Sequence, residues 1–562
     1  MKLRVATKTI ILAPLVGLLG ACGGQSNPTA DDVNSQTAAR VKVECLNGTA
    51  VAGNKTCSTV PPAAPAPVAA PAPVPVQQSA VYDTSIGTSV DANGFAVLPL
   101  RSGARRYFVS SVGGADGNGC SNAVQPAKPL KTIAAAIACV QDGSGDQVLL
   151  AEGTKYAEAL PWLAFKGGNS AQYPTVIQSY DPADPTNEAK YGRGDQRSAR
   201  PVLTAPQAQA GNGIYSYLAI RGLDFNPGNV AGPSLALVGQ SNYILIENNL
   251  FRFTGVSFDK GDQTQSTRHI LRHNALYGQW STGGRTGGVY DAGTDGITLE
   301  DNVFWHNGWR VGGSRDDDFS VGGATVFSHA FYLQTNTSAT VVRRNLSMDG
   351  AGDGGIARGD VLYTENISID NPACVGLGGG PAYNTDRPSG VMIEASYNVC
   401  LGDADVNSTH TLGWGISTSN GKAGSRVHHN LIARSRNPNG PSVGGFSNYA
   451  AFDQPSYAQY DHNLIWNWVS QANEPHSYYE AGGAFPAQTR TAYDYNIWDG
   501  LAQGTNINSA GATFPNAYTG PQLFAALGCG DKASCAAKMV ETPELSWGAK
   551  ARAMLFAGYG IN

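Results

Sequence analysis

The stretch "GTDGITLEDNVFWHNGW" (residues 293–309) holds a glycine turn, a strand-like ITLE, an asparagine, several aromatics and carboxylates, and His306. Taken alone it has the look of a catalytic motif. Its centre, EDNVFW, returns along the chain as ENNLF, RHNALY, RRNLSM, TENISI, SYNVCL, HHNLIA, DHNLIW and DYNIW. The shared residues are Asn249, Asn274, Asn302, Asn345, Asn366, Asn398, Asn430, Asn463 and Asn496. Their spacing runs from 21 to 43 residues, as in a solenoid whose coils carry loops of different length.

Asparagine suits such a position. It tolerates the left-handed backbone of a sharp turn, and its amide both donates and accepts, so stacked copies form a ladder. The aliphatic residue that follows is expected to point inward and stack on its counterpart one coil away, about 4.7–4.9 Å distant. EDNVFW is therefore first a structural rung, and His306 and Asn307 follow a corner. In several coils a second short strand comes earlier: VSFDK (256–260), GVYDA (288–292), AFYLQ (330–334), GIARG (355–359) and WGIST (414–418). Aligning Phe258, Tyr290, Tyr332 and Ile356 as inward positions brings the polar residues after them near one line, subject to a one-residue slip.

The rungs are preceded by RRYFVSSVGGADGNGC, KPLKTIAAAIACV and GDQVLLAEGTKYAE, from Arg105 onward. Leu130, Ile133, Ala134 and Ile137 share one helical face, and VLLAE reads as a strand. This order of strand, glycine-rich loop, short helix and strand resembles the start of secreted right-handed parallel β-helix proteins, in which the helix covers the open end of the first coil. The resemblance implies an all-β right-handed parallel β-helix solenoid over residues 105–505, with a short N-terminal capping helix. Residues 506–562 read as a helical C-terminal cap.

Lys2, Arg4 and Lys8 lead into an apolar run from Ile10 to Leu19 and then Leu19-Gly20-Ala21-Cys22. The run is short for a membrane span and reads as a secretory signal over residues 1–21. Leu-Gly-Ala-Cys resembles the lipobox of bacterial lipoproteins, which implies cleavage before Cys22, lipidation of its thiol and a membrane anchor through the acyl chains. Gly23, where an aspartate is absent, points by the same resemblance to the outer membrane, on its periplasmic or cell-surface side. Residues 22–58 form a membrane-proximal segment, and residues 59–80 a Pro/Ala-rich spacer of extended polyproline character. The eight other cysteines form an even set, as an oxidising compartment favours, and pairing of sequence neighbours (Cys45 with Cys57, Cys120 with Cys139, Cys374 with Cys400, Cys529 with Cys535) closes four short loops.

A formal charge of -5 with 14% charged residues offers no basic footprint, so nucleic acid is excluded as the expected partner. Nothing in the composition calls for an oligomer, and a monomer is expected. By resemblance, right-handed parallel β-helices most often serve enzymes that cut or epimerise acidic polysaccharides: pectate lyases, polygalacturonases, alginate lyases and mannuronan epimerases. The implied partner is an extended, uronate-containing polysaccharide, and the implied reaction β-elimination. C5 epimerisation, or glycan binding without catalysis, stands as the alternative.

Elimination needs neutralisation of the uronate carboxylate, a base for the C5 proton and an acid for the leaving oxygen. Lys260 or His329 is suited to be the base. Arg358 and Arg285 are suited to a bidentate carboxylate contact. Asp259, Asp291 and Asp295 are hard oxygen donors of the kind that hold Ca²⁺. Tyr290 and Gln334, with Trp305 and Trp309, are candidate sugar contacts; Trp414 and Trp466 are further aromatics of that kind. The segment TGVSFDKGDQTQSTRHILRHNALYGQW (254–280) loosely resembles the catalytic coil of the ninth polysaccharide lyase family, in which a lysine matching Lys260 is the base. The acidic pair that follows in that family is replaced here by aromatic and glycine residues. The polygalacturonase motif set is absent.

Overall fold

The computed structural model describes residue 82 and residues 84–558, outside 161–164, 194–198, 207–212, 233, 262–264, 380–389, 403–404, 411, 434–445, 450–457, 467–477, 482–519, 533, 536–537 and 539–546. The signal segment, Cys22, the Cys45–Cys57 pair, the Pro/Ala spacer and Asn496 lie outside these residues, as does the Trp466 side chain. The described strands pair in parallel throughout and form two sheets of 21 and 11 strands. Each coil passes three faces in turn, joined in the right-handed sense such parallel connections take. Face I includes Gly255–Asp259, Thr286–Ala292, Ser328–Leu333, Ile356–Ala357, Ala373–Leu377 and Trp414–Ser419. Face II includes Ser266–Arg272, Thr298–Glu300, Thr340–Arg343, Val361–Thr364 and Ile393–Ser396. Face III, the smaller sheet, includes Leu250–Arg252, Ala275–Tyr277, Val303–Trp305, Leu346–Met348, Ile367–Ile369 and Val399–Leu401. The long strand Ser234–Glu247 runs from face I into face II. The chain is thus a right-handed parallel β-helix.

The asparagine ladder lies between faces II and III. From Asn249 to Asn430, each backbone N–H and each side-chain amide donates to Oδ1 of the next asparagine at 2.8–3.2 Å, the last of these acceptors being Asn463. The left-handed backbone belongs to the residue before each asparagine, not to the asparagine itself: Asn248, His273, Asp301, Arg344, Glu365, Tyr397, His429 and His462 have φ between 50° and 59°. A second corner repeats the device. Asn307 Oδ1 accepts from the Gln279 N–H (3.2 Å) and Asn371 Oδ1 from the Gly350 N–H (2.7 Å), so Asn307 is indeed a corner residue.

The residue after the ladder asparagine points outward, against expectation. Leu250, Val303, Leu346, Ile367, Val399 and Leu431 form a flank cluster with Trp547, Ala551 and Leu555, while Phe251, Leu276, Phe304 and Ile432 fill the interior. Both sides of face III are buried, so apolar residues run on without the alternation that would reveal parity. The C-terminal helices Gly520–Ala526 and Trp547–Gly558 cover this flank. Lys532 also pairs with Asp349 (3.2 Å) and Asp370 (3.4 Å) there.

The N-terminal helix Ile133–Cys139 is capped by Thr132, whose hydroxyl accepts from the Ala135 N–H at 3.1 Å. It buries Ile133, Ala136 and Ile137 in the interior cluster, with Ala134 left exposed. Disulfides join Cys120–Cys139, Cys374–Cys400 and Cys529–Cys535. Ahead of Arg105, residues 84–98 lie over face II: Ile86, Ala96 and Leu98 pack on Tyr243, Leu245 and Ile270. Beneath them an alternating row of charge is buried, with Arg221 and Arg272 flanking Glu247 (3.5 and 3.4 Å) and Arg343 on Glu300 (2.9 Å).

Candidate functional site on face I

Strand register decides which face I side chains meet solvent. Tyr290, Tyr332 and Ile356 do align, but they face outward, and their partner in the earlier coil is Ser257. Phe258 lies opposite Asp291, one residue out of the expected register, and the inward row is Phe258, Asp291, Leu333, Ala357. The slip arises because the inward row contains a carboxylate where an apolar residue would be expected.

Asp291 is 0% exposed and belongs to a closed polar network. Thr294 Oγ1 donates to Asp291 Oδ2 (2.6 Å), His269 Nδ1 lies 2.8 Å from that hydroxyl and 3.3 Å from Asp291 Oδ2, and His269 Nε2 meets Ser241 Oγ at 2.8 Å. Since the threonine hydroxyl gives its proton to the carboxylate, it accepts from His269 Nδ1–H. The connectivity is that of a serine, histidine and aspartate relay. With Ser241 at 1% and His269 at 0% exposure, no substrate reaches it, and its role is to satisfy the corner between faces I and II.

The three expected calcium ligands do not converge. Asp291 is interior; Asp259 faces outward with Oδ1 accepting from the Gly261 N–H (2.9 Å); Asp295 is exposed, and its Oδ1 accepts from Ser338 Oγ (2.6 Å). Among the described residues no group of three or more His, Cys, Asp or Glu side chains is placed to hold a metal ion. These residues do not fit a Ca²⁺ centre.

A tighter constellation occupies the outer side of face I. The Tyr290 and Tyr332 rings of adjacent coils are parallel within 1°, with centroids 6.1 Å apart. Gln334 Nε2 donates to Tyr290 Oη at 3.4 Å. One coil on, Arg358 Nε donates to Tyr332 Oη at 2.8 Å, its guanidinium carbon 5.3 Å from the ring centroid. The His329 ring lies 5.5 Å from that of Tyr332, nearly parallel, and its Nδ1 is 3.2 Å from Asp353 Oδ2. The His329 side chain is 5% exposed, so Tyr332, half-buried, is the group of this pair that substrate can touch. Tyr332 was expected inward, and parity alone hid it.

Lys260 and Arg358 share face I but not one contact. The Arg358 column contains Asp259, Ala292 and Gln334, three coils apart end to end, so Lys260 stands about 14 Å away along the axis. Its stem packs on Gly293, where a Cβ would come within 2.4 Å of Lys260 Cδ. Arg285 precedes Thr286–Ala292 and lies at the opposite end of the strand from Arg358. The tryptophans are elsewhere. Trp305 is on face III, stacked on Tyr277 at 4.5 Å, and Trp309 packs on His306 at 3.8 Å with its indole N–H directed to the Asp349 carbonyl (3.3 Å). Both are half-buried and lie away from the outer side of face I.

No family model and no curated protein matches the chain. Among solved structures it is similar to the alginate lyase from Paenibacillus sp. str. FPU-7, at 14% identity over 63% of this chain and 97% of that one, TM-score 0.31. It is similar also to the GH136 lacto-N-biosidase from Eubacterium ramulus, at 16% identity over 67% and 68%, TM-score 0.32. A third is the pectate lyase Pel9A, at 13% identity over 77% and 92%, TM-score 0.33. Identities this low transfer no residue roles.

Proposed function

We propose that the protein binds an acidic polysaccharide on the outer side of face I and cleaves it by β-elimination, as a lipoprotein held at the outer membrane through Cys22. The observation that carries this reading is the Arg358–Tyr332 pair. A planar guanidinium, the donor best shaped for a carboxylate, is oriented by its own bond to a phenol that stands within the same patch.

In this reading Arg358 binds the uronate carboxylate and stabilises the negative charge that grows as the C5–H bond breaks. Tyr332, reacting as the phenolate that accepts from Arg358 Nε–H, takes that proton and becomes the phenol, electrons from the C–H bond form the C4=C5 double bond, and the C4–O bond breaks toward the leaving sugar. The same phenol then returns a proton to the leaving oxygen, so atoms and charge balance. Tyr290, on the preceding coil, and Gln334, two residues after Tyr332, flank the same sugar unit. His329, closed beneath the Tyr332 ring and paired with Asp353, is a positioning residue. Lys260, about three coils away along the axis, is out of reach of this sugar unit.

Epimerisation at C5 shares the proton abstraction and differs in reprotonating the carbanion from the other side. The experiment is incubation with alginate and with polygalacturonate while following the ultraviolet absorbance of the unsaturated product. Its appearance supports elimination; inverted uronate units without it support epimerisation; binding without either supports a glycan-binding role.

A further inference from the structure

The longest insertion between rungs, residues 306–327, is held in one shape by its own side chains and by the barrel flank. Asp317 accepts from the Ser314 N–H (2.9 Å), Asp318 caps the single turn Phe319–Val321 through the Ser320 N–H (2.8 Å), and Arg315 pairs with Asp349 (3.0 Å). The acidic run 316–318 is therefore spent on loop structure. Thr325 Oγ1 donates to the Gly284 carbonyl at 2.6 Å, which fastens the loop to the start of a face I strand. So fixed, the loop nevertheless leaves Phe319 at 50%, Val321 at 48% and Phe327 at 43% exposure, a cost in water that a purely structural loop has no reason to bear.

These residues are contiguous with a cation. The Phe319 ring lies against Gly284, where a Cβ would meet it at 3.3 Å, and the exposed Arg285 places its guanidinium carbon 5.2 Å from the Phe327 ring centroid. Arg285 makes no ion pair among the described residues. Arg285 and Phe327 immediately precede the two adjacent strands that carry Tyr290 and Tyr332, five residues before each. That separation is about 16 Å along the strands.

We infer that Arg285, Phe319 and Phe327 form a remote subsite that holds an acidic sugar unit of the polysaccharide whose reacting unit lies at Tyr332 and Arg358. The inference rests on the reading of face I given above. An apolar sugar face stacks on the two phenylalanines, while Arg285, already presented on an aromatic ring, meets the carboxylate. The occupant is a sugar chain because the patch joins apolar rings and an exposed cation at the start of the strands that carry the candidate centre. A chain bound at both places runs along the strands, perpendicular to the axis on which the coils stack.

The test measures dissociation constants for alginate and polygalacturonate polymers and for their disaccharides, on the full chain and on Arg285→Ala, Phe319→Ser, Phe327→Ala and Phe327→Trp. Expected is an about tenfold rise in the polymer Kd for the first three, a shift under about twofold for the disaccharides, which are too short to bridge, and recovery with Phe327→Trp. Unchanged polymer Kd in variants of unchanged thermal midpoint overturns the remote subsite and leaves the face I reading standing. Failure of the wild-type chain to bind any polymer overturns both. Self-association that Phe319→Ser abolishes, with polymer Kd unchanged, reassigns the patch to contact between copies.

Discussion

Asn366 Oδ1 accepts two hydrogen bonds from Asn345, one from its backbone N–H at 3.0 Å and one from its side-chain amide at 2.9 Å. The Asn366 amide donates in turn to the Val342 carbonyl (2.8 Å) and to Asn398 Oδ1 (3.1 Å). One side chain thereby satisfies groups on three coils, all buried. Asn366→Ala leaves the Asn345 backbone N–H without its acceptor and is expected to cost about 1–3 kcal/mol, read as a lower denaturant midpoint. Asn366→Asp keeps the acceptor and loses both donors, placing a carboxylate oxygen against Asn398 Oδ1. It is expected to be no milder at neutral pH.

His273 supplies a pH signature for the same corner. Burial first, and the Arg272 guanidinium second, pull its pKa down to about 3. The folded chain thus keeps this imidazole neutral, while the unfolded chain binds a proton below about pH 6.5. Stability is lost as pH falls from about 6.5 toward 3, by about 1.4 kcal/mol per unit for this group. His273→Asn, which tolerates the left-handed backbone there (φ 55°), removes that slope. Denaturant midpoints of both chains across this window show whether the slope differs.

The ladder was legible because asparagine has a geometric duty that no neighbour shares, and three expected disulfides lie at the predicted pairs. Parity was not legible. Val303 points to the flank because helix Trp547–Gly558 covers it, and no local pattern announces a distant helix. Asp291 is interior because His269 and Thr294, contributed by two different coils, satisfy it. Tyr332 is hidden for the same reason: an inward alignment of Tyr290 and Tyr332 gives no sign that the Tyr332 ring stands half-buried on the outer side. His329 and Arg358 were selected on residue type, and the fold brings both to Tyr332. Lys260, to which residue type and the family resemblance both point, lies three coils away.

Asp349 ties the long loop, the corner and the C-terminal segment together. Burial alone raises its pKa, but the bond from His306 and the charges of Lys532 and Arg315 outweigh that and hold it well below the usual carboxylate range. A carboxyl depressed in the folded state contributes stability above its unfolded pKa, and that contribution is lost as pH falls through the acid range below about 4. Asp349→Asn is expected to lower stability at neutral pH by about 2–4 kcal/mol and to make its decline on acidification shallower. Lys532→Ala, which removes one of the two Lys and Arg partners and leaves Arg315, costs less at neutral pH. Equal acid slopes in wild type and Asp349→Asn would remove Asp349 from this role.

The Arg358–Tyr332 pair predicts a pattern across variants that a merely structural contact would not produce. Tyr332→Phe keeps the ring stack with Tyr290 and loses only the oxygen, so kcat is expected to fall about 10²–10⁴-fold with the thermal midpoint nearly unchanged. Arg358→Lys keeps the charge but not the planar fork, and both its bond to Tyr332 and its grip on a carboxylate suffer. It is expected to lose kcat and kcat/KM together, nearly as far as Arg358→Ala. His329→Gln removes the ring beneath Tyr332 without touching substrate, so a smaller fall in kcat with little change in KM follows. The split is the discriminating readout: if Tyr332→Phe raised KM and left kcat alone, the phenol would be a binding group, and the proton would have to leave by another side chain of face I.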